Sequence, residues 1–202
     1  AARDHGDLLE GPFAAIADAS TSATPLNVLK MTSQALLEGG ASAADASAAG
    51  MAKVLESVGA SDLGGLYWTL FLGNRSGSIG ESSILLVCLG GLMLLGIGVI
   101  QWVAPVAMIA ATALTSWALG VDPILSVLSG GVVFGALFMA TDYSSSPLTV
   151  KGKAIFGAGA GVITSLIRVY GGFPEGVTYG ILVMNAVSPF LDKLRVKKFG
   201  YI

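Results

Sequence analysis

Two patterns of hydrophobic and polar positions divide the chain. From Asp18 to about Gly65, apolar residues recur at helical spacing in short runs separated by glycine. Thr24 and Pro25 make a helix start, with a hydroxyl at the N-cap and proline at the first helical position. Leu26, Leu29, Leu36 and Leu37 then share one face, and Gly39-Gly40 supplies the stop. A second, alanine-rich helix is predicted over 43–58, ending at Gly59. "GGLYWTLFLGNRSGSIGESS" (64–83) follows, and its apolar part is too short to span a bilayer. Tyr67, Trp68 and Phe71 form the kind of aromatic cluster that sits at a membrane interface. The glycine-rich turn after it matches neither a P-loop nor GxGxxG.

The second pattern is continuous. Ser82 to Val121 is 40 residues without one charge. A span needs about 20 apolar residues, so this stretch predicts two, near 83–101 and 104–119. Asp122-Pro123 is a turn that also starts a helix. A third span is predicted over about 124–141, a fourth over 154–170 and a fifth over 177–191. The expectation is an all-α, polytopic membrane protein with about five transmembrane helices. Residues 1–81 form an exported helical segment ahead of a membrane domain at 82–202.

Charge sets the orientation. Residues 1–81 hold nine acids and four bases, whereas 82–202 hold four acids and seven bases. With five spans, Lys151 and Lys153 share a side with Lys193, Arg195, Lys197 and Lys198. The positive-inside rule places that side, and the carboxyl terminus, in the cytoplasm. Residues 1–81, Thr24 among them, then lie on the extracytoplasmic side of a prokaryotic cell (inner) membrane. Lys193–Lys198 is explained by topology and contact with lipid.

Composition agrees. Hydrophobic residues make up 53% of the chain, charged residues only 12%, and mean hydropathy is +0.76. Ordinary soluble domains carry about a quarter charged residues. No basic patch with interleaved aromatics appears, so nucleic acid is not an expected partner. The single cysteine, Cys88, reads as a small apolar residue on a membrane helix, and the single histidine, His5, has no partner for a metal site. The chain starts without Met or a signal-peptide pattern, so a longer natural protein is expected.

Several stretches together resemble one family. "TDYSSSPLTVKGKAIFGAGAGVITSLIRVYGGFPEGVTYGILVMNAVSPFLDKL" (141–194) resembles the carboxyl-terminal portion of the D subunit of the Rnf ion-translocating electron transport complex. It is similar, less closely, to the B subunit of the sodium-translocating NADH:quinone reductase. The resemblance is carried by D-Y-x-x-S-P at 142–147, K-G-K at 151–153, I-R-x-x-G-G-x-P-E-G at 167–176 and M-N-x-x-x-P-x-x-D at 184–192. "GSIGESS" at 77–83 adds to it.

The resemblance implies FMN joined through its phosphate to a threonine hydroxyl, within a motif D-x-x-[S/T]-[G/S]-A-T read by a flavin transferase. Here the motif is Asp18-Ala19-Ser20-Thr21-Ser22-Ala23-Thr24, which puts the flavin on Thr24. Asp18, Ser22 and Ala23 are its attachment residues, with Ser22 standing where glycine is commoner. A phosphodiester there would meet the unpaired N–H groups of Leu26 and Asn27 and the positive end of the helix dipole. The cap and the flavin anchor are thus compatible in place. The resemblance further implies a complex with other Rnf-type subunits and leaves room for a second, non-covalent flavin. It implies a preceding set of membrane helices too, so that this chain is one half of a repeat-built bundle.

Other residues carry two readings each. Arg168, near the outer end of the fourth span, either reaches to the interface or pairs with a phosphate of a flavin. Asp142 either caps the Tyr-Ser-Ser-Ser turn or lines an ion entrance. Asn185 reads as an interhelical hydrogen-bonding residue. Glu81 either helps seat a cofactor or favours a helix dipole. No side chain reads as catalytic and none as a metal ligand. The functional expectation is a membrane redox subunit in a translocase that couples electron transfer between ferredoxin and NAD to movement of sodium ions or protons. The alternatives are a quinone-reductase B-type subunit, a non-redox channel or transporter for small solutes, and a membrane anchor that has lost its flavin.

Overall fold

The structure, a computed structural model, describes residues 25–40, 42–73, 83–171 and 175–193. Every regular element among them is helical. Helix α1 (Pro25–Glu38) starts at the expected proline, and the chain turns at Gly40 with φ +85°. Helix α2 (Ala43–Val58) is capped by Ser42, whose hydroxyl accepts from the Asp45 N–H. Gly59 ends it in the left-handed region, donating to the Glu56 carbonyl while Ala60 donates to that of Leu55. The two helices pack as a hairpin, with Gly50 against Leu29 and Ser33. Helix α3 (Leu63–Leu72) completes this layer, and Val54, Leu66 and Leu70 bury themselves against Leu125 of the next region. Trp68 and Phe71 stack, with Trp68 exposed.

The remaining elements form an apolar bundle: α4 (Ile84–Ile97), α5 (Val103–Ala118), α6 (Pro123–Leu128), α7 (Val132–Phe134) continuing into a π-helical turn (Gly135–Met139), α8 (Val150–Tyr170) and α9 (Val177–Lys193). Its centre is the contact of α5 with α8. Gly157 of α8 faces the Ala104 carbonyl and Gly161 faces that of Met108, so closely that a Cβ at either position would overlap backbone. Gly159 faces Met184 of α9, and Gly180 of α9 faces the Ala160 carbonyl. Small residues let backbones approach where lipid removes the hydrophobic drive for helices to associate. Met108, Val132, Ala136, Phe156, Ala160, Ile181 and Met184 fill the space around these contacts.

The outer surface of the bundle carries many large apolar side chains. Leu86, Leu92 and Met93 of α4, Leu114 and Trp117 of α5, and Leu182 and Phe190 of α9 are all exposed. Among the described residues, α8 is the one helix long and apolar enough to cross a membrane by itself, while α3, α4, α5 and α9 are shorter apolar helices.

Two expectations are corrected. The third predicted span, 124–141, is not one helix. It stops after Leu128, passes through Gly130 and Gly131 at φ +62° and +66°, and resumes at Val132. Consecutive left-handed residues cannot continue a right-handed helix, and here glycine carries both. The fourth helix begins at Val150 rather than 154, because the Thr149 hydroxyl caps it by accepting from the Gly152 N–H at 3.0 Å. Lys151 and Lys153 belong to its first turn, which a search for uncharged residues passes over.

Candidate functional site

Short helices have ends, and ends have unpaired backbone groups. The broken element makes this acute, because α6 is only six residues long. Its start is served by Asp122: one carboxylate oxygen accepts from the N–H groups of Ile124 and Leu125 at 2.8 and 3.0 Å. The other accepts from the Tyr67 hydroxyl of α3. Burial, reinforced by that hydrogen bond and the charge of Asp122, pushes the Tyr67 hydroxyl up to about 12.

The far end of α6 is served by Arg168 of α8. Its guanidinium donates through Nη1 to the Ser126 carbonyl and through Nη2 to those of Ser129 and Gly130, both at 3.0 Å. Nε donates to the Glu175 carbonyl at 2.9 Å. The residue is 8% exposed, so its charged head is turned into the protein and not out to an interface. Where α8 itself ends, Lys30 of α1 donates to the carbonyls of Arg168 (3.1 Å) and Gly171. Burial draws the Lys30 ammonium below its ordinary range. Two cations thus sit on the carboxyl ends of two helices, where the dipole favours them.

Helix α1 lies on this junction. Pro25 is buried, and Leu26, 6% exposed, packs against the break: a Cβ on Gly130 would lie 3.0 Å from Leu26 Cδ2 and 2.5 Å from Arg168 Nη2. Thr24, Asp18, Ser22 and Ala23 lie outside the described residues, as do His5, Glu81, Arg195, Lys197 and Lys198. The residue that follows the motif is therefore the first of a helix docked where the apolar element breaks. A phosphate joined there would meet the amino end of α1, whose free N–H groups fit such an anion, while Lys30 and Arg168 are engaged by the carbonyls described above.

The other candidates fall elsewhere. Asp142 accepts from the hydroxyls of Ser144 and Ser145 at 2.7 and 2.9 Å, a local turn, and these bonds hold its carboxyl below the ordinary range. Asn185 keeps its Oδ1 buried with no hydrogen-bond partner among the described residues. At the start of α8, roughly 20 Å from Arg168 along the helix, Lys153 donates to Gln101 at 2.9 Å beside a cleft of about 280 Å³ lined by Thr141, Tyr143 and Leu148. Among the described residues, no three His, Cys, Asp or Glu side chains gather as metal ligands. Sequence reasoning missed Lys30, the Tyr67–Asp122 pair and the break. Only the break had a signal, Ser-Gly-Gly at 129–131.

Comparison with known proteins identifies the relatives. Residues 7–200 match the model of the NQR2, RnfD, RnfE family. Over 191 residues the chain is 46% identical to the D subunit of a proton-translocating ferredoxin:NAD(+) oxidoreductase complex of Clostridium ljungdahlii, covering 91% of this chain and 52% of the relative. It is 48% identical over 117 residues to the D subunit of the Na(+)-translocating ferredoxin:NAD(+) oxidoreductase complex of Acetobacterium woodii, covering 58% and 37%. It is 41% identical over 138 residues to the D subunit of an ion-translocating oxidoreductase complex of Stutzerimonas stutzeri, covering 64% and 39%. The chain spans about half the length of the first of these relatives and less of the others.

Proposed function

The chain belongs to the NQR2, RnfD, RnfE family, and from that premise we propose that it is part of a membrane redox subunit carrying covalent FMN on Thr24. The subunit works in an Rnf-type complex that couples electron transfer between ferredoxin and NAD to movement of a cation. The relatives' names differ over that cation, proton in one and sodium in another, so the proposal extends to either.

One observation supports the flavin reading most directly. Helix α1, whose first residue follows Asp18–Thr24, is pinned by Leu26 and Lys30 to the broken element and the end of α8. A group held at Thr24 would be fixed at the outer mouth of the bundle. In this reading α4, α5, the broken element, α8 and α9 are the five spans, residues 1–81 are extracytoplasmic and the lysine-rich ends are cytoplasmic. The flavin transferase would act on the exported motif, with Asp18, Ser22 and Ala23 as recognition residues.

The roles of the residues follow. The Thr24 hydroxyl oxygen is the ester anchor. The Leu26 and Asn27 N–H groups and the α1 dipole stabilise the phosphate charge. Lys30 holds α1 against α8 and keeps the anchor at a constant distance from the bundle. Bound FMN would supply one- and two-electron transfer.

The test is the intact mass of the protein purified from its native membrane under denaturing conditions. We expect a gain of one FMN less water, lost in Thr24→Ala together with in-gel flavin fluorescence. An unmodified chain from cells that contain the transferase overturns the flavin reading. The break in the third element would then favour the second reading, a non-redox transporter, since discontinuous helices line transport sites.

A further inference from the structure

The break between α6 and α7 brings the carbonyl oxygens of Ser126, Ser129 and Gly130 to the edge of one guanidinium, and the Glu175 carbonyl joins them. In an apolar bundle such oxygens cannot be left bare. The group that meets them is a full positive charge, and these four oxygens are neutral backbone carbonyls. Carbonyls converging at an interrupted helix are also how proteins hold free monovalent cations. Gly130 keeps room for the guanidinium, since its φ of +62° and the 2.5 Å from a would-be Cβ to Nη2 exclude any other residue without displacement.

We infer that this carbonyl cage is a monovalent-cation site which the chain fills from within, Arg168 acting as a tethered cation. While the guanidinium is seated the break repels free cations, so a cation crossing this part of the molecule passes by another route. The cage itself is built by backbone and survives loss of the side chain, so a small planar cation takes its place when Arg168 is shortened. This inference stands apart from the flavin reading, because none of its atoms belong to the flavin motif.

The test is thermal unfolding of the protein purified from its native membrane, with salts added at millimolar concentration. Arg168→Ala unfolds roughly 5–10 °C lower than the parent. Guanidinium chloride restores at least half of that loss in the variant and does nothing to the parent, whereas tetramethylammonium chloride, too large for the cage, restores none. Equal recovery with both salts, no recovery with either, or an Ala variant as stable as the parent each overturns the inference. If Arg168→Ala yields no folded protein, Arg168→Lys and Arg168→Met decide alone. A cation site keeps the Lys variant several degrees above the Met variant, and indistinguishable variants overturn it.

Discussion

The α5–α8 pair and the α1–α3 layer are held by opposite means. Between α5 and α8, glycine meets backbone, and the contact is one of shape along the length of two helices. The layer instead buries Val54, Leu66 and Leu70 as a leucine-rich cluster and is located by ties at helix ends: Lys30 on α8, Tyr67 on Asp122, Leu26 on Gly130. On the topology proposed above, the difference follows the solvent. In hydrocarbon, burying leucine against leucine gains little over lipid, so close approach must hold the helices together. In water the hydrophobic gain is available but non-directional, and hydrogen bonds at helix termini decide where the layer sits.

The comparison breaks most easily at Gly157. Gly157→Val would drive its side chain into the Ala104 carbonyl, at a cost of at least about 1–3 kcal/mol. We expect loss of the folded bundle in detergent, read by thermal unfolding. An unchanged midpoint would mean that shape does not hold α5 to α8.

Asp122→Ala comes next, because it removes the cap of α6 and the partner of Tyr67 together. The expected loss is about 2 kcal/mol. Hydrogen exchange should rise in the first turn of α6 and in α3 while α5 and α8 keep their protection; uniform exchange would erase the distinction between layer and bundle. Lys30→Met should cost about 1 kcal/mol and loosen α1 without changing the Gly157 contact, again read by exchange.

Tyr67→Phe sharpens the contrast with the smallest effect, about 0.5–1.5 kcal/mol. Its pH dependence has a definite sign. The Tyr67 hydroxyl is raised from 10.0 to about 12, so its contribution is fully present below pH 10 and is lost as pH rises through about 12. In an ultraviolet titration, the tyrosinate signal missing from the Phe variant should be the part that appears near pH 12. A missing signal near pH 10 would mean that Tyr67 is not bonded to Asp122.

Much of the layer was legible because its signals are local. Pro25 and the Gly39-Gly40 stop bound α1, and Gly59 marks the end of α2. The bundle was legible as helix but not in its interruptions, since averaging hydrophobicity over a window conceals two glycines in an apolar run. Ser129–Gly131 vanishes in such an average, and the charges of Lys151 and Lys153 hide the first turn of α8. The junction was hidden for another reason. Arg168 finds its α6 partners 38 to 42 residues away, and Lys30 reaches across 138. No spacing rule carries such pairs, and backbone carbonyls leave no mark in a sequence at all.

The π-helical turn at Gly135–Met139, where Ala140 donates to the Gly135 carbonyl, has a consequence for phase. Such a turn accommodates one more residue than an α-turn would, and each residue of an α-helix advances about 100° around the axis. Thr141 and the loop beyond it therefore leave the bundle facing a direction that an uninterrupted helix would not give them. Deleting a single residue inside the turn would let the helix close regularly, yet it would turn Thr141 and the loop after it relative to Gly98, Gln101 and Ala104 of the opposite wall of the Lys153 cleft. An insertion or deletion of this size, harmless in most loops, would here act as a dial on the orientation of one whole end of the molecule.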